Sequence, residues 1–160
     1  MFSCSSFNPP ESNYGKIANA ITAKTAKQLE EENGLILVGT GGQMMNDIQM
    51  MMMGFYFYHV VDVNDARQLL VNSVEAYLSA INANEDVRPY LHEYPFTASN
   101  VEIVIYFRNP DRSDVPQGKI RIAAAKRGKL VYYIDYPEKH TIKSIYEESY
   151  EDALKAANAK

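Results

Sequence analysis

The segment that decides the fold is Val101–Tyr136, VEIVIYFRNPDRSDVPQGKIRIAAAKRGKLVYYIDY. Its first seven residues alternate in the period of a β-strand, with apolar side chains at Val101, Ile103, Ile105 and Phe107. A long turn covers Asn109–Gly118. The strands Lys119–Ala125 and Leu130–Tyr136 then form a hairpin around Arg127-Gly128.

Both faces of this hairpin are apolar. With a two-residue turn, one face carries Ala123, Ala125, Leu130, Tyr132 and Ile134, and the other carries Ile122, Ala124, Val131 and Tyr133. Amphipathic helices can cover one face. The second face needs the N-terminal helix, an aromatic loop or another molecule.

The strongest helix signal precedes this segment. Asp62 is the candidate N-cap, and Asp65 stands three residues on, as in a capping box. Helical spacing of apolar side chains follows at Ala66, Leu69, Leu70, Val74, Tyr77, Leu78 and Ile81. The sequence therefore predicts a helix over Val63–Ala83.

Two apolar runs lie upstream of that helix. Leu35–Val38 and the aromatic, β-branched run Met50–Val61 predict two strands, with Asn46-Asp47 as the turn between them. The alternative is a helix over Gln43–Met53, because methionine is a good helix former.

The two ends of the chain are predicted to be helical. Tyr14–Glu32 follows a narrow helical stripe that Asn33-Gly34 ends. The capping box Ser144–Glu147 predicts the start of a C-terminal helix. Its apolar side would carry Tyr146, Tyr150, Ala153, Leu154 and Ala157.

The order α-β-β-α-β-β-β-α predicts an α+β fold. We expect a mostly antiparallel sheet of about five strands in two groups, with the helices packed on it. Residues 1–13 are predicted to be a flexible tail, and residues 14–160 a single α+β domain. The apolar content of 46% is enough for a core without disulfides.

Six of the seven methionines lie between Met44 and Met53. Thioethers bind cuprous ion, so Met50 and Met52, joined by His59, are candidate metal ligands of a copper-handling protein. Adjacent residues of a strand point to opposite faces, however. We therefore predict that the run is mainly core, with an adaptable partner surface as a further alternative.

The loop Asn84–Asn100 contains RPYLHEYPF, residues 88–96. His92 beside Glu93 is a candidate acid–base pair for a small hydrolase or transferase. Aromatic and arginine side chains serve as interface anchors, and the binding candidates are Arg88, Tyr90, His92, Tyr94, Phe96 and Tyr132. The alternative is a loop held over the sheet by its rings and prolines.

Other functional patterns are weak. Gly39-Thr40-Gly41-Gly42 lacks the spacing of a nucleotide-binding loop and predicts a bulge or bend. Basic residues outnumber acidic ones seven to two in Arg108–Lys129, which is also usual for solvated hairpin tips. With a net charge of −4 we expect no nucleic-acid partner. We also expect no cofactor, and because the sequence holds no Gly-x-Ser-x-Gly or His-Glu-x-x-His pattern it leans away from an enzyme.

The start of the chain leaves localisation open. Cys4, followed by a Ser/Asn/Pro stretch, looks like the start of a mature bacterial lipoprotein tethered outside the cytoplasm. No basic and apolar leader precedes it, so Met1 as the true start predicts a cytoplasmic protein. The apolar run Ile48–Val61 is too short to span a bilayer.

Taken together, these features predict a small binding protein. It would dock a protein partner or a second copy of itself through the aromatic loop and a sheet face. Catalysis by His92 and copper handling by the methionine run are the alternatives.

Overall fold

A computed structural model of the protein describes residues 13–159. Within this range three α-helices and six β-strands follow one another: α1 Asn13–Asn33, β1 Ile36–Gln43, β2 Met50–Phe57, α2 Val63–Ala83, β3 Val101–Phe107, β4 Ile120–Lys126, β5 Lys129–Tyr136, β6 Thr141–Ser149 and α3 Tyr150–Asn158. Cys4 and all but the last residue of the predicted flexible tail lie outside the described residues. Asn13, that last residue, is the first residue of α1.

The strands form one mixed sheet in the order of the chain, β1 to β6. Four of the five neighbouring pairs are antiparallel, and only β2 and β3 run parallel. A parallel pair needs a long crossover, which α2 and the following loop supply. The predicted α+β class is confirmed, but the sheet has six strands rather than about five, and β2–β3 pairing joins the two expected groups.

The sixth strand replaces the predicted start of the last helix. The prediction that a capping box at Ser144–Glu147 begins a helix is wrong, because this segment lies inside β6 and pairs with β5. The helix α3 begins at Tyr150 instead, where the Ser149 hydroxyl accepts a hydrogen bond from the Asp152 N–H at 3.1 Å. The free edge of β5 offers a full ladder of backbone partners, which outweighs a local cap.

The helix predicted over Val63–Ala83 is confirmed at both ends. The Asp62 carboxylate accepts a hydrogen bond from the Asp65 N–H at 2.8 Å and so caps the first turn. The apolar stripe lies in the core, where Leu70 and Tyr77 are fully buried. Cap and stripe are both local features, and for this reason the sequence places this helix accurately.

The hairpin of β1 and β2 is also confirmed, and the helical alternative for Gln43–Met53 is wrong. The glycines lie within β1, which extends beyond the predicted Val38, and the register shifts between Leu37 and Gly39 as a bulge does. A Cβ on Gly42 would lie 2.7 Å from the Met50 carbonyl oxygen, so this position requires glycine. Strand β2 ends at Phe57, four residues before the predicted end.

All three helices pack on the same face of the sheet. On that face the core includes Met51, Met53, Phe55, Val101, Ile103, Ile105, Phe107, Ala123, Ala125, Leu130 and Tyr132. Helix α1 joins α2 through the Thr22 and Tyr77 hydroxyls, 2.6 Å apart, and burial raises the pKa of Tyr77 to about 12. The N-terminal helix therefore does not cover the second face. No helix among residues 13–159 is long and apolar enough to cross a bilayer.

Candidate functional site

Backbone hydrogen bonds fix the loop between α2 and β3 beside the start of β2. The Ile48 N–H donates to the Tyr90 carbonyl at 2.8 Å, and the His92 N–H donates to the Ile48 carbonyl at 2.8 Å. Leu91 thereby forms a parallel bridge with Ile48. The side chains of the predicted loop site consequently project from a fixed backbone.

The side chains of His92 and Glu93 contact different residues. The His92 Nδ1 lies 2.7 Å from the Asp47 carboxylate, whose hydrogen bond and charge raise the pKa of His92. Glu93 instead accepts a hydrogen bond from the Asn100 side-chain amide at 2.8 Å. The His92 side chain is 59% exposed, so it lies in open water rather than in an enclosed substrate cleft. The geometry gives the hydrolase or transferase alternative no paired acid and base at His92 and Glu93.

Asn82, near the end of α2, organises most of the remaining loop. Its side-chain amide pairs with both backbone groups of Phe96, at 2.8 and 2.9 Å. Its carbonyl accepts a hydrogen bond from Arg88 at 3.0 Å, and the Arg88 guanidinium lies 4.5 Å from the centre of the Tyr94 ring. Phe96 is only 2% exposed. Tyr94 is 51% exposed, and Tyr90 is 37% exposed.

Tyr132 is not a surface anchor, contrary to its predicted binding role. It is fully buried, and its hydroxyl donates to the Glu148 carboxylate at 2.7 Å. Burial and this carboxylate raise the pKa of Tyr132. Arg67 of α2 pairs with the same carboxylate at 2.9 Å, and this hydrogen bond raises the pKa of Arg67. The three side chains form a buried polar cluster that ties α2 to β5 and β6.

The methionine run is divided between the two faces of β2. Met51 and Met53 are fully buried in the core, whereas Met50 and Met52 lie half exposed on the other face. The core prediction is therefore confirmed for the two buried residues. His59 follows the far end of β2, about 23 Å or more from Met50 at ~3.3 Å per residue. The predicted metal ligands Met50, Met52 and His59 thus do not converge on one ion.

His59 borders an open cleft of about 360 Å³ between the ends of α1 and β2 and the start of α2. Its ring packs 4.9 Å from the Phe57 ring, and Asp65 and Gln68 line the same cleft. Among residues 13–159 no three His, Cys, Asp or Glu side chains are grouped so as to hold a metal ion.

The face of the sheet away from the helices, which we call the open face, is apolar across five strands. One row of paired positions carries large side chains and is called the ridge: Ile36, Tyr56, Tyr106, Ile122 and Tyr133. The adjoining row carries small or short side chains and is called the groove: Gly39, Gly54, Val104, Ala124 and Val131. Ile36 and Tyr106 are each 37% exposed, and the other ridge residues are half buried.

Aromatic and arginine side chains extend the ridge at the ends of β2 and β3. The Tyr56 ring lies 5.8 Å from Tyr106 and 5.7 Å from Tyr58. The guanidinium of Arg108 lies 5.3 Å from the Tyr56 ring, and that of Arg112 lies 5.0 Å from Tyr58. Such contacts hold the rings in place at the surface.

Charged groups of both signs surround the apolar rows. Two residues beyond the groove on β3, β4 and β5 stand Glu102, Lys126 and Lys129, and two residues beyond the ridge on β3 and β5 stand Arg108 and Asp135. Both signs therefore occur beyond the groove and beyond the ridge.

Two contributors to these surfaces were missed from the sequence. Asn82 lies outside the apolar stripe of α2 and belongs to no motif, because its role depends on a loop that returns to it. Tyr106 lies between Ile105 and Phe107 and was not among the apolar positions predicted for this strand. The signal for Tyr106 was available, because Tyr106 and Ile122 both stand on the apolar, non-core side of their strands.

No match to the chain was found among protein-family models, curated proteins or solved structures. Its function is therefore inferred from the geometry and chemistry of the described residues.

Proposed function

We propose that the protein is an interaction protein that docks a protein partner through the open face of its sheet. One observation carries the proposal: the three helices cover a single face, and the other face presents the ridge and, apart from the buried Gly54, the groove to solvent. Contiguous apolar patches of this kind commonly mark interaction sites.

The dimensions of the open face support docking of a folded protein. Six strands, each seven to nine residues long, make a face about 29 Å wide and about 23 Å long, or roughly 700 Å². A stable interface covers about 800 Å² on each partner. The apolar rows with charged residues on both sides also match the usual division of interfaces into core and rim.

The sheet face carries this proposal rather than the loop. Arg88 and Phe96 of the loop are engaged by Asn82 within the chain, and Arg88 also covers the ring of Tyr94. Tyr106 on the ridge, by contrast, presents its side chain with no hydrogen-bond partner among the described residues. Interfaces take much of their binding energy from such tyrosines.

Photo-crosslinking can test the proposal before any partner is known. The photoreactive analogue p-benzoylphenylalanine would replace Tyr106 on the ridge, Tyr94 on the loop or Lys27 on the exposed side of α1 in three separate variants. Cells expressing each variant would be irradiated. We expect a discrete protein adduct from position 106 that is weak or missing from positions 94 and 27.

Two results would contradict the proposal. Position 106 could give no adduct under conditions in which the free protein is folded. Alternatively, all three positions could give the same adducts, as random collisions do. Adducts from position 94 alone would move the docking surface to the loop.

A further inference from the structure

We infer that the partner of the open face is a second copy of the protein, packed face to face about a two-fold axis. This inference rests on the proposed function and adds the identity of the partner and the geometry of docking. Three properties of the open face support it, namely its relief, its charge pattern and its area.

The heights of the two rows are self-complementary. Ridge and groove are neighbouring rows that cross β1 to β5, two residues apart on β2 to β5 and three apart on β1, where the bulge lies. A two-fold axis that runs parallel to the rows, midway between them, lays the ridge of each copy over the groove of the other. Tyr56 then lies over the partner's Gly54, and Ile122 over the partner's Ala124. Two such sheets pack about 10 Å apart, which leaves room for interdigitated side chains.

The fold itself does not require the groove to be shallow at Gly54. A Cβ added there would meet its nearest atoms at 3.9 Å, an ordinary contact, and one added at Gly39 would meet no atom within 4 Å. Neither glycine has a positive φ. Glycine weakens a strand relative to larger residues. Gly54 is buried beside the Val38 side chain, whereas Gly39 is exposed, and the small residues of this row leave room for the ridge of a second copy.

The charges agree with the same axis. It brings Glu102, two residues beyond the groove on β3, opposite the partner's Arg108, two residues beyond the ridge on β3. It likewise brings Lys129 opposite the partner's Asp135 on β5. Within each chain Arg108 also pairs with Asp114, Lys129 with Glu147, and Asp135 with Arg121. Glu102 has no ion-pair partner among residues 13–159. Lys126 comes opposite the bulge in the partner's β4, where Arg121 pairs with Asp114 and Asp135 of the same chain.

The area also fits. Each copy offers roughly 700 Å² of sheet face over all six strands, of which β1 to β5 carry the ridge and groove, and this is close to the ~800 Å² per partner of a standard interface. Both copies offer an equal area by symmetry, so neither leaves a large apolar surface uncovered.

The experiment is sedimentation velocity of the purified full chain from about 1 to about 300 µM, a range that spans usual dimer affinities. We expect a monomer–dimer equilibrium. Gly54→Val should fill the groove and weaken the dimer by about tenfold or more. Its thermal unfolding should show an intact monomer. Tyr94→Ala, on the exposed loop, is the matched control and should leave the dimer unchanged.

A charge exchange tests the axis and covers the case in which Gly54→Val fails to fold. Glu102→Arg should weaken the dimer, because it places two cations opposite each other. Adding Arg108→Glu to the same chain should restore the dimer, because the pair is then reversed in both copies. Restoration supports this axis, since neither residue contacts the other within one chain in the described structure.

The inference fails if the chain stays monomeric throughout the concentration range, or if a dimer forms that neither Gly54→Val nor Glu102→Arg weakens. A monomeric chain whose position 106 still crosslinks to a different protein in cells would overturn this inference and leave the proposed function standing. A monomeric chain without crosslinks from position 106 would overturn both.

Discussion

Removing the guanidinium of Arg67 should be among the most damaging single changes in the protein. Arg67 donates to both oxygens of Glu148, at 2.9 and 3.2 Å, and the Glu148 side chain is only 6% exposed. Tyr132 adds a hydroxyl donor at 2.7 Å. In an Arg67→Met variant, which keeps a comparable apolar stem, the carboxylate would remain buried with one neutral donor.

The expected loss follows from that burial. Breaking a buried ion pair by removing one partner costs about 3–5 kcal/mol. In a chain of this size, ~1 kcal/mol lowers the melting temperature by about 2–4 °C, so a decrease of about 6–20 °C is expected. Adding Glu148→Gln to Arg67→Met removes the buried charge and keeps an acceptor for Tyr132. This double variant should recover most of the lost stability.

Urea denaturation of the wild type, the single variants and the double variant gives the coupling energy directly. Lys129→Met is the control, because its ion pair with Glu147 is more than half exposed on both sides. That change should cost at most about 1 kcal/mol. The reasoning is refuted if Arg67→Met costs no more than Lys129→Met, or if Glu148→Gln recovers nothing.

Three further predictions concern titration and helix capping. The pKa of His92 lies above its ordinary value, so the stability that its Asp47 pair contributes is fully present below the unfolded-state pKa and is lost as pH rises through the folded-state pKa. NMR titration should show a lower pKa for His92 after Asp47→Asn, and an unchanged value would contradict the pairing. Tyr77 should ionise near pH 12 rather than 10, so the free energy of unfolding should fall as pH rises from about 10 to about 12. The absorbance difference between wild type and Tyr77→Phe measures the ionisation of Tyr77, and ionisation near pH 10 would show that the hydroxyl is not buried. Ser149→Ala should cost about 1 kcal/mol through loss of an N-cap, whereas Ser144→Ala within β6 should change stability by less than about 0.5 kcal/mol. Denaturation of the two variants measures both losses, and a larger loss for Ser144→Ala would favour a helix that starts at Ser144.

The sequence predicted those elements whose signals are local. Helix α2 was placed correctly because the Asp62 cap and the apolar stripe act within a few turns. The β4–β5 hairpin was placed within one residue because the turn at Arg127-Gly128 takes positive φ at both positions and so fixes the register. The division of Met51 and Met52 between two faces likewise follows from the period of a strand alone.

The tertiary structure decided what depends on distant partners. Ser144–Glu147 has the letters of a capping box, but the free edge of β5 supplies backbone partners that no local pattern reveals. The parallel pairing of β2 and β3 likewise arises only when α2 has crossed the sheet.

The candidate site shows the same division. From the sequence, both faces of the hairpin were known to be apolar, and the alternation assigned Tyr132 to one face and Tyr133 to the other. Alternation fixes which residues share a face, but the helices determine which face is covered. Because α1, α2 and α3 all pack on the face of Tyr132, that tyrosine is buried against Glu148, and Tyr133 and Tyr106 are left on the open face.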